Sequence, residues 1–456
     1  MLPFLPIFTF AQAIPSPVPS PTPPTEIVQP QQIRPLPGKL DDVPVFNSNN
    51  PEVVQTEGIL LSTFPPDGKS TSAAHLNFPF QGRFDVFAHH IAKPPTPEDL
   101  RTLYQGIILY NPGSQPVTVD ILQAASYVSQ PDAPFIELPS FLNNDSGTVY
   151  AGPGSRAMSD ILRGLRQADF PTQLLIPPRQ SKMLLNLPIA VRPLQPPLNG
   201  RSTLIRLRSD GKVYAASLAR YAPVDSNGNE RAPTLEEWQQ LLDKGELAGP
   251  RERPASPPDA PLTHYGRVAG VAQGSQWKAQ LVDSPTTQLL SIPQPGQAFS
   301  YGLSTLHGGR MGTGQIQSAP MLVRYPESAY FAHGNYGIQY SLTLPLINPT
   351  NNTQSVTLAI QTALKEDQPQ GGLRFLEPPA KQVFFRGTVQ IRYKDDEGLP
   401  RTHYWHLVQR RGQQGEPLVT LKMPPRNQRL VQVDFLYPPD ATPPQVLTIK
   451  TLEPSP

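Results

Sequence analysis

Histidine and carboxylate side chains are the residues of this chain whose types and spacing come nearest to a metal site. His75, His89 and His90 lie close together with Asp85 among them, and His333 has comparable surroundings in the second half. Neutral imidazoles and carboxylates are the ligands that zinc prefers. Because neighbouring residues of a strand face opposite ways, His89 and His90 do not both reach one ion. A structural or surface role is favoured, and His75, Asp85, His89 and His333 are the candidates if a metal binds.

The segment Asp225–Glu236 has the oxygen-ligand spacing of a calcium loop. Asp and Asn residues occupy its positions one, three and five, and Glu occupies its last position. The glycine that such a loop needs for its sharp turn is replaced by Glu230, and Pro233 is also awkward there. An Asn-Gly turn followed by a capped helix accounts for every residue, so we predict no ion.

The glycine-rich segment His307–Gln315 has neither the lysine of a phosphate loop nor the glycine order of a dinucleotide site. No Gly-x-Ser-x-Gly nucleophile elbow occurs in the chain. A flexible loop is therefore predicted, with Arg310 as a candidate binding residue. We predict no catalytic residue, no cofactor-binding residue and no cofactor.

Trp277 and Trp405 are candidates for stacking on a sugar, because aromatic faces suit the apolar faces of sugar rings. The alternative is that both rings belong to the core, which is the commoner place for aromatic residues.

The composition favours short strands joined by many turns. The 456 residues include 59 prolines, which collect at edges, turns and linkers because proline cannot donate to a sheet ladder. The net charge is only +2, and the sequence contains no basic stripe of the kind that a nucleic-acid binder needs. Cysteine is absent, so disulfides and Cys-ligated metals are excluded. No apolar run is long enough for a transmembrane helix.

The amino terminus predicts export. Leu2–Phe10 is apolar, and Ala11-Gln12-Ala13 has the form that signal peptidase cleaves. The apolar run is short, contains two prolines and follows no basic residue, which departs from the usual pattern. We predict a signal peptide over residues 1–13, followed by a Pro-rich spacer over residues 14–43.

The remainder predicts an all-β fold: two tandem Ig-like or jelly-roll-type β-sandwich domains, with short helices in linker regions. The predicted boundaries are 44–221 for the first sandwich, 222–262 for a helical, Pro-rich linker and 263–453 for the second. Apolar spacing predicts a helix at Ser155–Gln167, and a capping box predicts another at Thr234–Gly245. The Asp-Gly pair at 210–211 predicts a hairpin.

Three phrases occur twice in the same order and predict an internal duplication. "LYNPGSQPVTV" at Leu109 matches "LINPTNNTQSVTL" at Leu346, and "FAHH" at Phe87 matches "FAHG" at Phe331. "PPRQSKMLLNL", from residue 177, likewise matches "PPRNQRLVQV", from residue 424. The duplication predicts that Asn111 is equivalent to Asn348, Arg179 to Arg426 and His89 to His333.

Several segments resemble a family of cyanobacterial exported or envelope proteins that is defined only by a domain of unknown function. They are "FNSNNPEVVQTEGILLS", "GRFDVFAHHIA", "GELAGPRE", "YGRVAGVAQGSQW" and "NYGIQYSLTLPLIN". The resemblance implies a protein of the periplasm, outer envelope or cell exterior. It assigns no catalytic residue.

Three functions remain open. The leading one is a non-catalytic envelope protein that binds a polysaccharide, peptidoglycan or a surface protein. The second is a secreted hydrolase that acts on glycans, with a carboxylate pair contributed by separate loops. The third is a periplasmic metal-binding protein that uses the histidines named above. A cleft with two carboxylates, one of raised pKa, favours the enzyme, whereas exposed aromatic rings favour binding.

Overall fold

The structure is a computed structural model that describes residues 23–454, and strands dominate it throughout. The predicted all-β sandwich fold is confirmed. The predicted signal peptide and the start of the predicted spacer lie outside the described residues. Within residues 23–454, no helix is both long enough and apolar enough to cross a membrane.

The elements of the first half are, in chain order, β1 (Thr25–Gln29), β2 (Gln32–Arg34), β3 (Pro44–Ser48), β4 (Val53–Val54), β5 (Gly58–Ser62), a short 3-10 helix (Ser72–Ala74), β6 (Phe80–Ala92), β7 (Leu103–Tyr110), β8 (Val117–Val128), β9 (Phe141–Asn143), α1 (Pro153–Leu162), β10 (Gln173–Ile176), β11 (Ser181–Ile189) and β12 (Asn199–Tyr221). The elements that follow are α2 (Leu235–Lys244), β13 (Ala269–Gln273), β14 (Gln276–Gln280), β15 (Leu290–Ser291), β16 (Ala298–Leu303), β17 (Ala319–Arg324), β18 (Phe331–Ala332), β19 (Gln339–Ile347), β20 (Gln354–Gln361), β21 (Leu373–Glu377), β22 (Val383–Lys394), β23 (Pro400–Arg410), β24 (Val419–Met423), β25 (Gln428–Leu436) and β26 (Gln445–Thr451).

The first sandwich is organised around the long strand β12. Its first part pairs with β6 and β8, in a layer ordered β10-β8-β12-β6-β3-β13-β17-β18. Its last part pairs with β7 and β5 in the facing layer, where β7 also pairs with β11. Side chains that alternate along these strands fill the space between the layers, among them Phe84, Ile107, Val119 and Ile205.

The predicted Asp-Gly hairpin is wrong, because β12 continues through it. The register of β12 against β6 shifts between Ser209 and Val213, so Asp210 and Gly211 form a bulge in one strand. The Asp210 carboxylate accepts the backbone N–H of Thr118 from the neighbouring strand. Pairing with β6 on both sides of the bulge keeps the strand continuous where the dipeptide alone would turn the chain.

The second sandwich has one layer ordered β2-β16-β26-β20-β24 and another ordered β14-β19-β25-β22-β23-β9, with β15 also paired to β19. Its core includes Leu344, Leu358, Val433, Phe435 and Ile449, all buried.

One layer of each sandwich has the same strand order and the same directions. In β10-β8-β12-β6-β3 and in β24-β20-β26-β16-β2, every neighbouring pair is antiparallel except the last, which is parallel. The segments inserted between the matching strands differ, since β9 and α1 lie between β8 and β10, whereas β21, β22 and β23 lie between β20 and β24. The internal duplication stays a prediction, since this agreement covers one layer of each sandwich.

The repeated Asn-Pro turns have the same hydrogen bonds. Asn111 Nδ2 donates to the backbone oxygens of Gln115, Ile176 and Pro177 at 2.7, 3.0 and 3.3 Å. The equivalent bonds of Asn348 run to residues 352, 423 and 424 at 2.8, 2.9 and 3.1 Å. The following turns also match, with Arg179 at φ 57° and Arg426 at φ 59°.

The predicted equivalence of His89 and His333 is wrong. His89 lies inside the long strand β6, which pairs with β12. His333 follows β18, a two-residue strand that pairs with β17. In the matching layers the counterpart of β6 is β16. The similarity between "FAHH" at Phe87 and "FAHG" at Phe331 therefore does not mark equivalent strands.

Strands cross between the two halves of the chain. From the predicted spacer, β1 pairs with β21 and β2 pairs with β16, while Leu36 is buried in the core of the second sandwich. In return, β13 and β17 extend the first sandwich. The spacer was expected to stand apart because it has no apolar periodicity, but an edge strand needs only backbone hydrogen bonds to join a sheet.

Both predicted helices are confirmed, with different surroundings. The box at Thr234 and Glu237 caps α2, as predicted. The other helix, α1, ends at Leu162 because Gly164 takes a left-handed φ of 79°. It does not lie in a linker: Met158 and Ile161 are buried in the core that joins the two sandwiches.

Candidate functional site

Two clefts lie where the sandwiches meet. We call the first the junction groove, and its lining includes Glu52, His89, Phe135, Leu198, Asn199 and Asp440. We call the second the junction cavity, and its lining includes Asn47, Asn49, Tyr265, His333, Lys365 and Thr442. Arg267 lines the cavity and forms an ion pair with Glu52, which lines the groove. This ion pair therefore lies between the two clefts.

The junction groove is open and has one exposed phenylalanine ring, that of Phe135, in its wall. Its volume is about 520 Å³. The Phe135 side chain is 56% exposed there, and Leu198 is 42% exposed. Phe135 packs closely over Gly152, where an added Cβ would lie 2.3 Å from the ring. Packing against Gly152 therefore fixes the position of the Phe135 ring, while much of the ring surface stays accessible to a ligand.

Charged side chains of both sandwiches meet in the groove. The Nε2 atom of His89 lies 3.5 Å from Glu52 Oε1, and its Nδ1 lies 2.8 Å from Ser202 Oγ. The Arg386 guanidinium donates to Asp440 Oδ2 at 2.6 Å, whereas Asp440 Oδ1 is buried with no hydrogen-bond partner among the described residues.

The two carboxyl groups of the groove have opposite pKa shifts. Burial raises the pKa of Asp440, against the charge of Arg386. Burial also acts to raise the pKa of Glu52, but the hydrogen bond and charge of His89 and the charge of Arg267 outweigh it, and this pKa is lowered. Each carboxylate is already paired with a cation. The arrangement is therefore suited to accepting hydrogen bonds from a ligand's hydroxyl groups.

The junction cavity is smaller, with a volume of about 180 Å³. The Tyr265 hydroxyl donates to the His307 carbonyl oxygen and accepts from Lys365 Nζ. The ring of His333 lies 4.7 Å from that of Tyr265. Burial, with the charge of Lys365, lowers the pKa of His333 to about 4, so its imidazole is neutral at pH 7.

The candidate metal ligands are not brought together. His75 is buried with its Nδ1 2.9 Å from Ser62 Oγ, and burial lowers its pKa to about 4. Asp85 is buried between Arg83 and Arg206. His89 lies in the groove and His333 in the cavity. No group of three or more potential metal ligands occurs within residues 23–454.

The predicted binding residues lie outside both clefts. Trp277 is only 5% exposed and donates from Nε1 to the Pro37 carbonyl at 2.9 Å, so it is a core residue and cannot stack on a sugar. Trp405 is half-buried with its ring stacked on Phe141 at 4.4 Å. The Arg310 Nε atom lies 3.8 Å from Asp367 Oδ1, and the residue lines neither cleft.

The Asp225–Glu236 segment forms a turn and leads into α2. The Asp225 carboxylate accepts the backbone N–H groups of Asn227 and Asn229 at 2.8 and 2.9 Å. Glu230 accepts from Thr102 at 2.7 Å, at the other end of the turn. These bonds account for Asp225 and Glu230 without an ion, and the absence of calcium stays a prediction.

Sequence reasoning missed Phe135, Asp440 and Lys365 as site residues. Each comes from a different segment of the chain, so no local pattern connects them. Part of the signal was present for Asn47, Asn49 and Glu52, which lie in "FNSNNPEVV", a segment that carries the family resemblance.

The solved structures to which the chain is similar are distant. One is Lac15 from a marine microbial metagenome, at 9% identity and a TM-score of 0.11; the alignment covers 82% of this chain and only 54% of Lac15. A mutant oxalate decarboxylase from Bacillus subtilis shares 10% identity, with 90% and 83% of the two chains covered and a TM-score of 0.10. Procruciferin, an 11S globulin from Brassica napus, shares 11% identity, with 90% and 84% covered and a TM-score of 0.10.

Scores this low support no argument about function. No curated protein matches the sequence. A family described as "Protein of unknown function (DUF3370)" matches residues 31–451. This match spans both sandwiches, and the chain therefore belongs to the DUF3370 family.

Proposed function

We propose that this protein is a non-catalytic envelope protein, exported from the cell, that binds a glycan in the junction groove. The observation that carries the proposal is the Phe135 ring, 56% exposed in the wall of an open groove whose lining also contains hydrogen-bonding side chains. Such a ring stacks on the apolar face of a sugar, while the Glu52 and Asp440 carboxylates line the same groove and can accept from its hydroxyl groups. The partner is an envelope polysaccharide or peptidoglycan.

Calorimetry of the full chain with soluble peptidoglycan fragments and neutral oligosaccharides tests this proposal. We expect Phe135→Ala to weaken binding about tenfold, because it removes most of the stacking surface. Leu175→Ala is the matched control, since Leu175 is 60% exposed on β10 and does not line the groove. Absence of glycan binding by the unaltered protein, or equal binding by the Phe135 variant, contradicts the proposal. Binding of a surface protein without any glycan does so too.

The proposed export rests on the sequence: the cleavage pattern that ends at Ala13, and the Pro-rich segment behind it. The resemblance suggests a cyanobacterial host. Sequencing the mature protein from its host should give an amino terminus at or near Ile14. Recovery of the chain from the cytoplasm with Met1 intact contradicts export.

A secreted glycan hydrolase is the second candidate, because Glu52 and Asp440 line one groove and have opposite pKa shifts. Divergent pKa values are a mark of acid and base pairs in such enzymes. The ion pair of Asp440 with Arg386 opposes this role, since the guanidinium stabilises the ionised form and a general acid must be protonated. Release of reducing ends from a bound glycan, abolished by Glu52→Gln, would favour the hydrolase.

A further inference from the structure

We propose that the junction cavity is a second, independent binding site, which takes a small organic carboxylate. The proposal does not depend on the glycan in the groove, because it uses other residues and a separate space.

The cavity has an excess of positive charge. Arg267 and Lys365 line it, and no Asp or Glu is among the described residues that line it. Arg267 is neutralised by ion pairs with Glu52 and Glu252. Lys365 forms no ion pair with a carboxylate within residues 23–454. Asp367 acts on Lys365 through its charge but forms no ion pair with it, and a half-buried ammonium group that no carboxylate of the described residues contacts favours an anionic ligand.

Hydrogen-bond donors in the cavity remain unused. Lys365 has three N–H donors, of which Tyr265 accepts one. Asn47 and Asn49 are each only 4% exposed, and their side-chain amides make no hydrogen bond among residues 23–454. The Oδ1 atom of each is buried without a partner. An unpaired Oδ1 is an acceptor and does not itself favour an anion, so these amides contribute to the site through their N–H groups, which make no hydrogen bond among residues 23–454.

The wall of the cavity is rigid where it curves around this space. Asn335, at a left-handed φ of 49°, is fully buried. Its side chain bonds Ser304, Gln317, the Ala319 backbone and Tyr340. These bonds fix the loop that carries His333. A preformed site loses little entropy when a ligand binds.

Size and polarity select the class of ligand. A volume of about 180 Å³ corresponds to roughly six water molecules at their share of the liquid. Leu306, Ala332, Val268 and Pro443 supply apolar surface beside the donors. A carboxylate with a short apolar body satisfies both parts of the cavity. Inorganic phosphate has no apolar part and brings more charge than one lysine balances.

Calorimetry of the full chain with propionate, propionamide and inorganic phosphate tests the proposal. We expect one molecule of propionate to bind per chain. Propionamide, which has nearly the same shape without the charge, should bind at least about tenfold more weakly, because charge-assisted bonds are the strong ones. No saturable binding of propionate, equal binding of the amide, or tighter binding of phosphate would overturn the proposal.

Two variants locate the site. Lys365→Gln should weaken propionate binding about tenfold or more, and Lys278→Gln, which alters an exposed lysine on β14, should leave it unchanged. If Lys365→Gln does not fold, Asn49→Leu provides an independent measurement, with an expected loss of about fivefold. Thermal melting establishes that each variant is folded. Unchanged affinity in the folded variants of the cavity would refute the assignment.

Discussion

Replacing Asn348 by aspartate removes two hydrogen-bond donors from a buried side chain and leaves its shape intact. Asn348 is fully buried, and its Nδ2 group donates to three backbone carbonyls of the turns it joins. Its Oδ1 atom accepts the Thr350 backbone N–H at 2.9 Å, and aspartate keeps that bond. The substitution therefore tests the donated bonds without creating a cavity.

The magnitude follows from the number of N–H groups. Two hydrogens serve three carbonyls, so we count two bonds, each worth about 1 kcal/mol net. Carbonyls left buried without a donor add to the loss, and we expect the free energy of unfolding to fall by about 2–4 kcal/mol at pH 7. Burial and the facing carbonyls raise the pKa of the new carboxyl group above its unfolded value of about 4. The deficit should therefore be largest above the raised pKa and should shrink as the pH falls through it.

Urea unfolding at pH 7 and at pH 5 measures both effects. Asn352→Asp is the matched control, because Asn352 is exposed in the same turn, and it should change the free energy by less than about 0.5 kcal/mol. Asn111→Asp should lose as much as Asn348→Asp, since Asn111 makes the equivalent bonds. A loss below about 1 kcal/mol for Asn348→Asp, or one that grows as the pH falls, would refute this reasoning.

Three further predictions concern packing, pH and calcium. An added Cβ at Gly106 would lie 2.6 Å from the buried Trp238 ring, so Gly106→Ala should lower stability by about 1–3 kcal/mol in urea unfolding. Burial lowers the pKa of His406 to about 4 in the folded protein. Between about pH 6.5 and pH 4 its imidazole is therefore protonated in the unfolded chain and neutral in the folded one. Unfolding free energy should then fall as the pH drops from about 6.5 to about 4, and His406→Gln should flatten this slope by up to about 1.4 kcal/mol per pH unit. Calorimetry with calcium should show no stoichiometric binding; a site lost in Asp225→Ala would prove the turn to be an ion site.

The features that could be predicted from the sequence depend on neighbouring residues. The α2 cap needs only Thr234 and Glu237, three positions apart, and the repeated turns need an asparagine followed by proline. Strand alternation likewise gave the all-β class, because burial on one face imposes a period of two.

Features that depend on distant pairing could not be predicted. An Asp-Gly pair, considered without the rest of the protein, favours a turn. At Asp210 and Gly211 the pairing with β6 keeps β12 continuous instead. The junction groove combines Glu52, Phe135 and Asp440 from three separate regions of the chain. No periodicity within one segment contains that information.

The exchange of strands has a consequence for the order in which the protein folds. Thr25 pairs with Glu377, roughly 350 residues later, and Gln32 of β2 pairs with Phe299 of β16, roughly 270 residues later. Contacts of such separation form slowly, because the intervening chain must be brought into place first. The strand β2 cannot take its place at the edge of the second sandwich until β16, in the second half of the chain, is also present. A nascent chain would therefore stay incomplete, and the finished structure would form only after the later strands had been synthesised.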